Sequence, residues 1–219
     1  MLGEIQRYKI TYILIILNVV VYVYTSFLSL NPMDMNLEVL VDMGALYGPY
    51  VLEQGQWWRL LSAMFLHAGA THLFMNMFSL YLVGRGAEIY FDGKAYISIY
   101  ILAGFIGAFS SLYMHPQSVG VGASGAIFGA FGALAGFFVA HREGMASHSK
   151  AFMKDFAIII GINLVIGFSI PSVDVSAHFG GLMAGFIGGF ILAKNPKSLS
   201  LYIGLMLAVM LVFYFYLSA

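Results

Sequence analysis

Runs of about twenty mostly apolar residues, separated by short polar clusters, recur along the chain and predict helical spans near 10–30, 71–90, 95–114, 122–140, 155–170, 176–193 and 199–218. The seventh follows a tight "KNPKS" connection. Residues 31–70 break the pattern, because Pro32, Asp34, Glu38, Asp42, Pro49 and Glu53 are scattered among apolar positions. This stretch is not a simple span. Its "LEVLVDMGALY" and "QWWRLLSAMFLH" segments predict short amphipathic helices in the headgroup layer, where tryptophan prefers to lie. The first apolar stretch, Ile10 to Leu30, is too long for the core of a signal peptide and no small-x-small cleavage site follows, so it reads as a retained span.

Composition sharpens this into a class. Apolar residues make up 61% of the 219 and charged residues 9%, with a mean hydropathy of +0.88, outside the soluble globular range. The expected architecture is an all-α polytopic membrane protein. Ten basic and ten acidic residues cancel, so nothing points to nucleic acid, and the absence of cysteine excludes disulfides, thiolate metal sites and a thiol nucleophile. The placement of Lys and Arg sets an orientation. With the first span starting in the cytoplasm, Arg7, Lys9, Arg85, Lys94, Arg142, Lys150, Lys154, Lys194 and Lys197 fall inside and only Arg59 outside. The positive-inside rule then expects a cytoplasmic amino terminus, with 31–70 and the carboxyl terminus outside; a compact sequence without a transit peptide makes a bacterial inner (plasma) membrane the expected location.

Glycine gathers in the fourth and sixth spans at helical spacing: Gly125, Gly129, Gly132 and Gly136 in one, Gly181, Gly185 and Gly189 with Gly180, Ala184 and Gly188 in the other. Small residues every three or four positions let helix backbones approach closely in lipid, so these two spans are expected to be neighbours at the bundle centre. Polar groups within spans are the informative exceptions, because each costs free energy without a partner or water. His72, Asn76, Ser124 and His178 stand out. In the orientation above, all four fall in the first or second turn of spans that run inward, at similar depth. His72 and Asn76, four apart, share a helix face. Ser124 follows "VGVGA", whose glycines permit an unusual backbone at the start of the helix. If the glycine faces touch, Ser124 and His178 come within hydrogen-bond reach, as a general base and a hydroxyl nucleophile must. The Asn76 side chain, the His72 imidazole and the Ser124 N–H are then candidate oxyanion donors. Taken singly, each has a structural reading as packing serine, interface histidine or helix-bridging pair. His115, His141 and His148 are expected in solvated loops, and His67 to hold the outer loop against the bundle.

These residues resemble the rhomboid intramembrane serine proteases. The resemblance covers most of the chain, through "WWR" (57–59), "HAGATHLFMNM" (67–77), "GRGAE" (84–88), "GASG" (122–125) and "AHFGGLMAG" (177–185). It implies a six-helix catalytic core over 1–198 with outer loop 31–70, and an additional carboxyl-terminal transmembrane helix over 199–219. It implies Ser124 as nucleophile, His178 as base and acid, and an oxyanion hole of His72, Asn76 and the Ser124 N–H. Gly122, Gly125 and Phe128 support the site; Phe128 stands where some members carry a tyrosine packed on the histidine. Arg59 and Glu88 are structural in this resemblance, as are the packing glycines Gly181 and Gly185. Asp174 is left outside the site as a helix cap or solvated group. No cofactor or metal is expected, the partners being the lipid bilayer and transmembrane protein substrates that unwind near the outer face. The opening for them is expected at the fifth span and the loop "SIPSVDVS". Two other functions compete: an inactive relative that binds membrane proteins, and a transporter or channel lined by the same polar residues. Nothing in the sequence sets the oligomeric state.

Overall fold

The computed structural model describes residues 2–143, 161 and 173–218; apart from Gly161, the predicted fifth span 155–170 lies outside them, as do residues 169–172 of the loop after it. The described chain forms α1 (Leu2–Arg7), α2 (Lys9–Ser29), α3 (Leu37–Asp42), α4 (Arg59–Ser62), α5 (Ala70–Tyr90), α6 (Gly93–Met114), α7 (Ser124–His141), α8 (Val175–Lys194) and α9 (Leu199–Leu217). Six of the seven predicted spans therefore coincide with long helices. The fold is all-α among the described residues, with one isolated antiparallel bridge between Leu46 and Gly120. Asp92 and Asp174 start α6 and α8 by accepting hydrogen bonds from the Ala95 and Ala177 N–H groups at 2.9 and 3.1 Å, satisfying donors that a helix start leaves free.

Among the described residues, five segments are long and apolar enough to cross a bilayer: α2, α6, α7, α8 and the stretch Pro196–Leu217 that contains α9. The helix α5 is as long as α2 but less apolar, because it carries His72, Asn76, Arg85 and Glu88. Its outward face is nonetheless Phe74, Met75, Phe78, Leu82 and Ile89. The pattern in α2 is inverted relative to a water-soluble helix. It turns Ile16, Leu17, Val20 and Phe27 outward and buries Thr11, Leu14, Asn18, Tyr22 and Thr25. Several of these polar groups return their hydrogen bonds to the helix itself. Asn18 Nδ2 donates to the Leu14 carbonyl at 2.8 Å and Thr25 Oγ1 to that of Tyr22 at 3.0 Å, which lets polar side chains sit inside a lipid-facing bundle.

The centre is the contact between α7 and α8. A Cβ on Gly181, Gly185 or Gly189 would overlap the carbonyl oxygen of Gly125, Gly129 or Ala133 on α7, and a Cβ on Gly132 or Gly136 would overlap that of Leu182 or Phe186 on α8. At these glycine positions the two backbones lie against each other with no side chain between them. The glycines that predicted this neighbourhood are the residues that permit it. Outward from this seam, α6 packs closely on both helices: a Cβ on Gly129 of α7 would overlap that of Ala103, and a Cβ on Gly107 would lie 2.7 Å from the Ala177 carbonyl oxygen of α8, while the buried Tyr96 turns its hydroxyl toward Gly84 of α5.

The segment between α2 and α5 folds as short pieces: α3, a wide turn at Pro49–Glu53, α4 and a 3₁₀ turn at Ala63–Phe65. Arg59 organises it. The guanidinium, in a residue only 4% exposed, donates from Nη1 to the carbonyls of Val41 (2.6 Å) and Ala45 (3.0 Å) and from Nε to Gln56 Oε1 (2.7 Å), lying between the rings of Tyr50 and Trp58. Arg59→Ala strips these donors and is expected to lower the unfolding free energy by about 2–3 kcal/mol, read as a fall in the melting point in detergent. Arg59→Lys is expected to recover only part of it, because an ammonium lacks the planar fork. At the opposite end of the bundle, Glu88 of α5 accepts from the Ile10 and Thr11 N–H groups at 3.1 and 2.7 Å, joining α5 to the first turn of α2.

Candidate active site

Ser124 is the first residue of α7 and His178 the fourth of α8, so both stand at the same end of the glycine seam. Because the seam brings the two backbones together, side chains at its end meet directly. Ser124 Oγ lies 2.8 Å from His178 Nε2. The imidazole is buried and its other face is covered by Phe128, whose ring stacks on it at 4.3 Å between centroids and 11° between planes. Phe128 is one turn after Ser124, so the helix that presents the hydroxyl also fixes the ring that receives its hydrogen bond. His178 Nδ1 has no hydrogen-bond partner among the described residues.

Gly122 is demanded twice over. Its φ of +124° is a conformation that side chains rarely adopt, and a Cβ there would lie 2.8 Å from His72 Nε2. His72 Nε2 is thus beside the turn that leads into Ser124. The Ala68 N–H donates to His72 Nδ1 at 3.4 Å, which leaves the proton of the neutral ring on Nε2, facing that turn. Asn76, one turn further along α5, is buried, with Nδ2 donating to the His72 carbonyl at 3.0 Å and Oδ1 without a partner among the described residues. One hydrogen of its amide remains uncommitted to that bond.

The structure therefore brings Ser124, His178, Phe128, Gly122 and His72 into one cluster, with Gly125 and Gly181 in the seam directly beneath. Asp174 is not in it: its carboxylate accepts from the Ala177 N–H and the Ser176 hydroxyl, as a cap on α8. His115 ends α6 and is exposed; His141, expected in a loop, lies in the last turn of α7, exposed, where its Nδ1 meets the Phe137 carbonyl at 3.0 Å. His148 lies outside the described residues. His67 has a closer connection to the site than its sequence suggested. It is 0% exposed, its ring meets that of His72 edge-on at 5.1 Å, and burial, then the neighbouring His72, push its pKa down to about 3. It is a neutral spacer behind His72. Its position five residues before His72 gave the only sequence signal of this contact.

A family model described as the rhomboid domain matches residues 54–195, well over half of the chain. The Rhomboid protease GluP of Bacillus subtilis (strain 168) is 36% identical over 192 residues, which cover 86% of this chain and 35% of that protein. The RHOMBOID-like protein 6, mitochondrial, of Arabidopsis thaliana is 41% identical over 169 residues, covering 77% and 53%. The Putative rhomboid protease YdcA of Bacillus subtilis (strain 168) is 34% identical over 146 residues, covering 65% and 71%. The chain spans about a third of GluP and about half of the plant relative. With this match over its central helices, and five segments apolar enough to cross a bilayer, the chain is a multi-pass membrane protein and belongs to the rhomboid family.

Proposed function

We propose that the chain is an intramembrane serine endopeptidase that cuts transmembrane protein substrates near the outer face of the membrane. The observation that carries this reading is the 2.8 Å approach of Ser124 Oγ to His178 Nε2 at the end of a side-chain-free helix seam. A serine hydroxyl is a weak nucleophile at neutral pH, and an imidazole at this distance takes its proton as the oxygen attacks the scissile carbonyl. Nε2 then returns the proton to the leaving amine. Water, deprotonated by the same nitrogen, hydrolyses the acyl-enzyme and frees Ser124. The pair works without a carboxylate behind it, since Asp174 is committed to capping α8.

Negative charge on the carbonyl oxygen needs donors in place before it develops. His72 Nε2–H beside Gly122, the free hydrogen of the Asn76 amide and the Ser124 N–H are assigned this role. As the first residue of α7, Ser124 has an N–H with no partner within the helix, and the positive end of the helix dipole adds to it. In this reading the membrane is the bacterial inner membrane, with 31–70 and the carboxyl terminus outside, and the catalytic core comprises six transmembrane helices within 1–198, followed by a seventh in 199–219. A substrate helix must expose a carbonyl otherwise tied into its own hydrogen bonds, so helices that unwind near the outer face are preferred, with a small residue at the cut.

The test is incubation of the purified protein with a generic single-span substrate, with the new termini mapped by mass spectrometry. New termini at one position near the outer end of the span support the reading. An intact substrate that stays bound favours a binding protein without hydrolysis. Phe128 supplies a graded check. Phe128→Ala removes the stacked ring and is expected to lower kcat/KM about three- to tenfold, whereas Phe128→Tyr keeps the stacking and is expected to stay near the wild-type value.

A further inference from the structure

The outer segment grips the turn that carries the nucleophile. Leu46 and Gly120 exchange N–H···O bonds of 2.9 and 2.8 Å, the Gly48 N–H donates to the Pro116 carbonyl at 2.9 Å, and the Gly122 N–H donates to the Ala63 carbonyl at 2.9 Å. Ser124 is two residues beyond the last of these. The residues of the grip, Leu46 and Ala63, belong to a buried apolar cluster with Val51, Leu60, Phe109 and Leu112, against which Trp57 and, from α9, Met210 and Phe213 pack. The last helix thus reaches the outer segment directly. Trp57 meets Tyr214 at 4.8 Å and Phe109 of α6 at 6.0 Å, and Phe109 in turn stacks on Phe213 at 5.6 Å and 20°. Lower down, α9 is seated on α8 by the fully buried Tyr202, whose ring would meet a Cβ on Gly188 at 2.7 Å. Most of the rest of α9 faces outward, including Leu211, Val212 and Phe215.

We propose that α9 is a buttress for the nucleophile turn: the ring of Tyr214 directly, and that of Phe213 through Phe109, hold Trp57, and the outer segment held in this way fixes Gly120–Gly122 and, through them, Ser124. This role rests on the serine-protease reading only for its catalytic consequence. Trp57 and Tyr214 are positioning residues, which act through the outer segment. A displaced outer segment lets the Gly122 N–H leave the Ala63 carbonyl, and the hydroxyl then samples orientations away from His178 Nε2.

Trp57 and Trp58 are the only two tryptophans, so Trp58→Phe leaves Trp57 as the sole reporter in the full chain. In that background Tyr214→Ala is expected to increase quenching of the Trp57 emission by an aqueous quencher and to speed hydrogen exchange at the Gly122 amide. It is also expected to slow fluorophosphonate labelling of Ser124 about three- to tenfold, the effect of one lost aromatic pair. Tyr214→Phe restores all three, and Val212→Ala, on the outward face of the same helix, changes none. Unchanged Trp57 quenching in Tyr214→Ala and in Phe213→Ala/Tyr214→Ala overturns the clamp. Altered quenching with unchanged Gly122 exchange overturns its connection to the nucleophile. Should Ser124 resist labelling even in the parent chain, the protease reading fails, while quenching and exchange still decide the buttress.

Discussion

Replacing Ser124 with alanine is expected to lower the cleavage rate of a single-span substrate by about 10⁴-fold or more, and His178→Ala to do nearly the same. In the proposed mechanism the two groups, 2.8 Å apart, act on one proton, so neither is useful alone. The double variant is therefore expected to be no slower than the worse single one. Initial rates in proteoliposomes, with melting points near that of the parent, make the comparison. Losses that multiply would mean that the two side chains contribute independently, and that the hydrogen bond between them is not the reacting pair.

Gly185→Val is expected to abolish activity by a different route, together with about 3 kcal/mol of stability. Any side chain at 185 runs into the Gly129 carbonyl oxygen, which is backbone and has no rotamer to give way. Accommodation requires α7 and α8 to separate, at a cost at the upper end of that for overpacked cores. Separation at that level carries Ser124 away from His178, because both stand at the end of the same seam. The comparison is Gly204→Ala on α9, where an added Cβ meets nothing within 4 Å and the expected change is within about 0.5 kcal/mol. Unfolding curves in detergent and cleavage rates, measured on the same preparations, report both effects.

Much of this geometry was legible in the residues. Span-length apolar runs placed six long helices to within a residue or two at most ends, because chain length across a bilayer is a hard constraint. The glycine spacing located the α7–α8 seam, since small residues at helical intervals have few other uses in lipid. The shared depth of His72, Ser124 and His178 followed from simple counting along three parallel helices. Less was legible where contacts join segments without periodicity. No pattern in "LYGPYVLEQGQWWRLLSAMF" announces that Ala63 accepts from Gly122 or that Leu46 pairs with Gly120, as isolated backbone bonds leave no side-chain signature. Nor does the sequence of α9 reveal its partner: apolar residues run all round it, and only the structure distinguishes Tyr202 and Met206, which are buried, from Leu211 and Phe215, which face outward.

The most direct test of the central claim is covalent labelling of the purified protein with a fluorophosphonate, followed by mapping of the adduct. A serine made nucleophilic by an imidazole on a neighbouring helix is expected to carry the adduct at Ser124 alone, and to lose it in His178→Ala. Equal labelling of the Ser124→Ala variant, or an adduct at Ser124 that survives His178→Ala undiminished, would contradict the account.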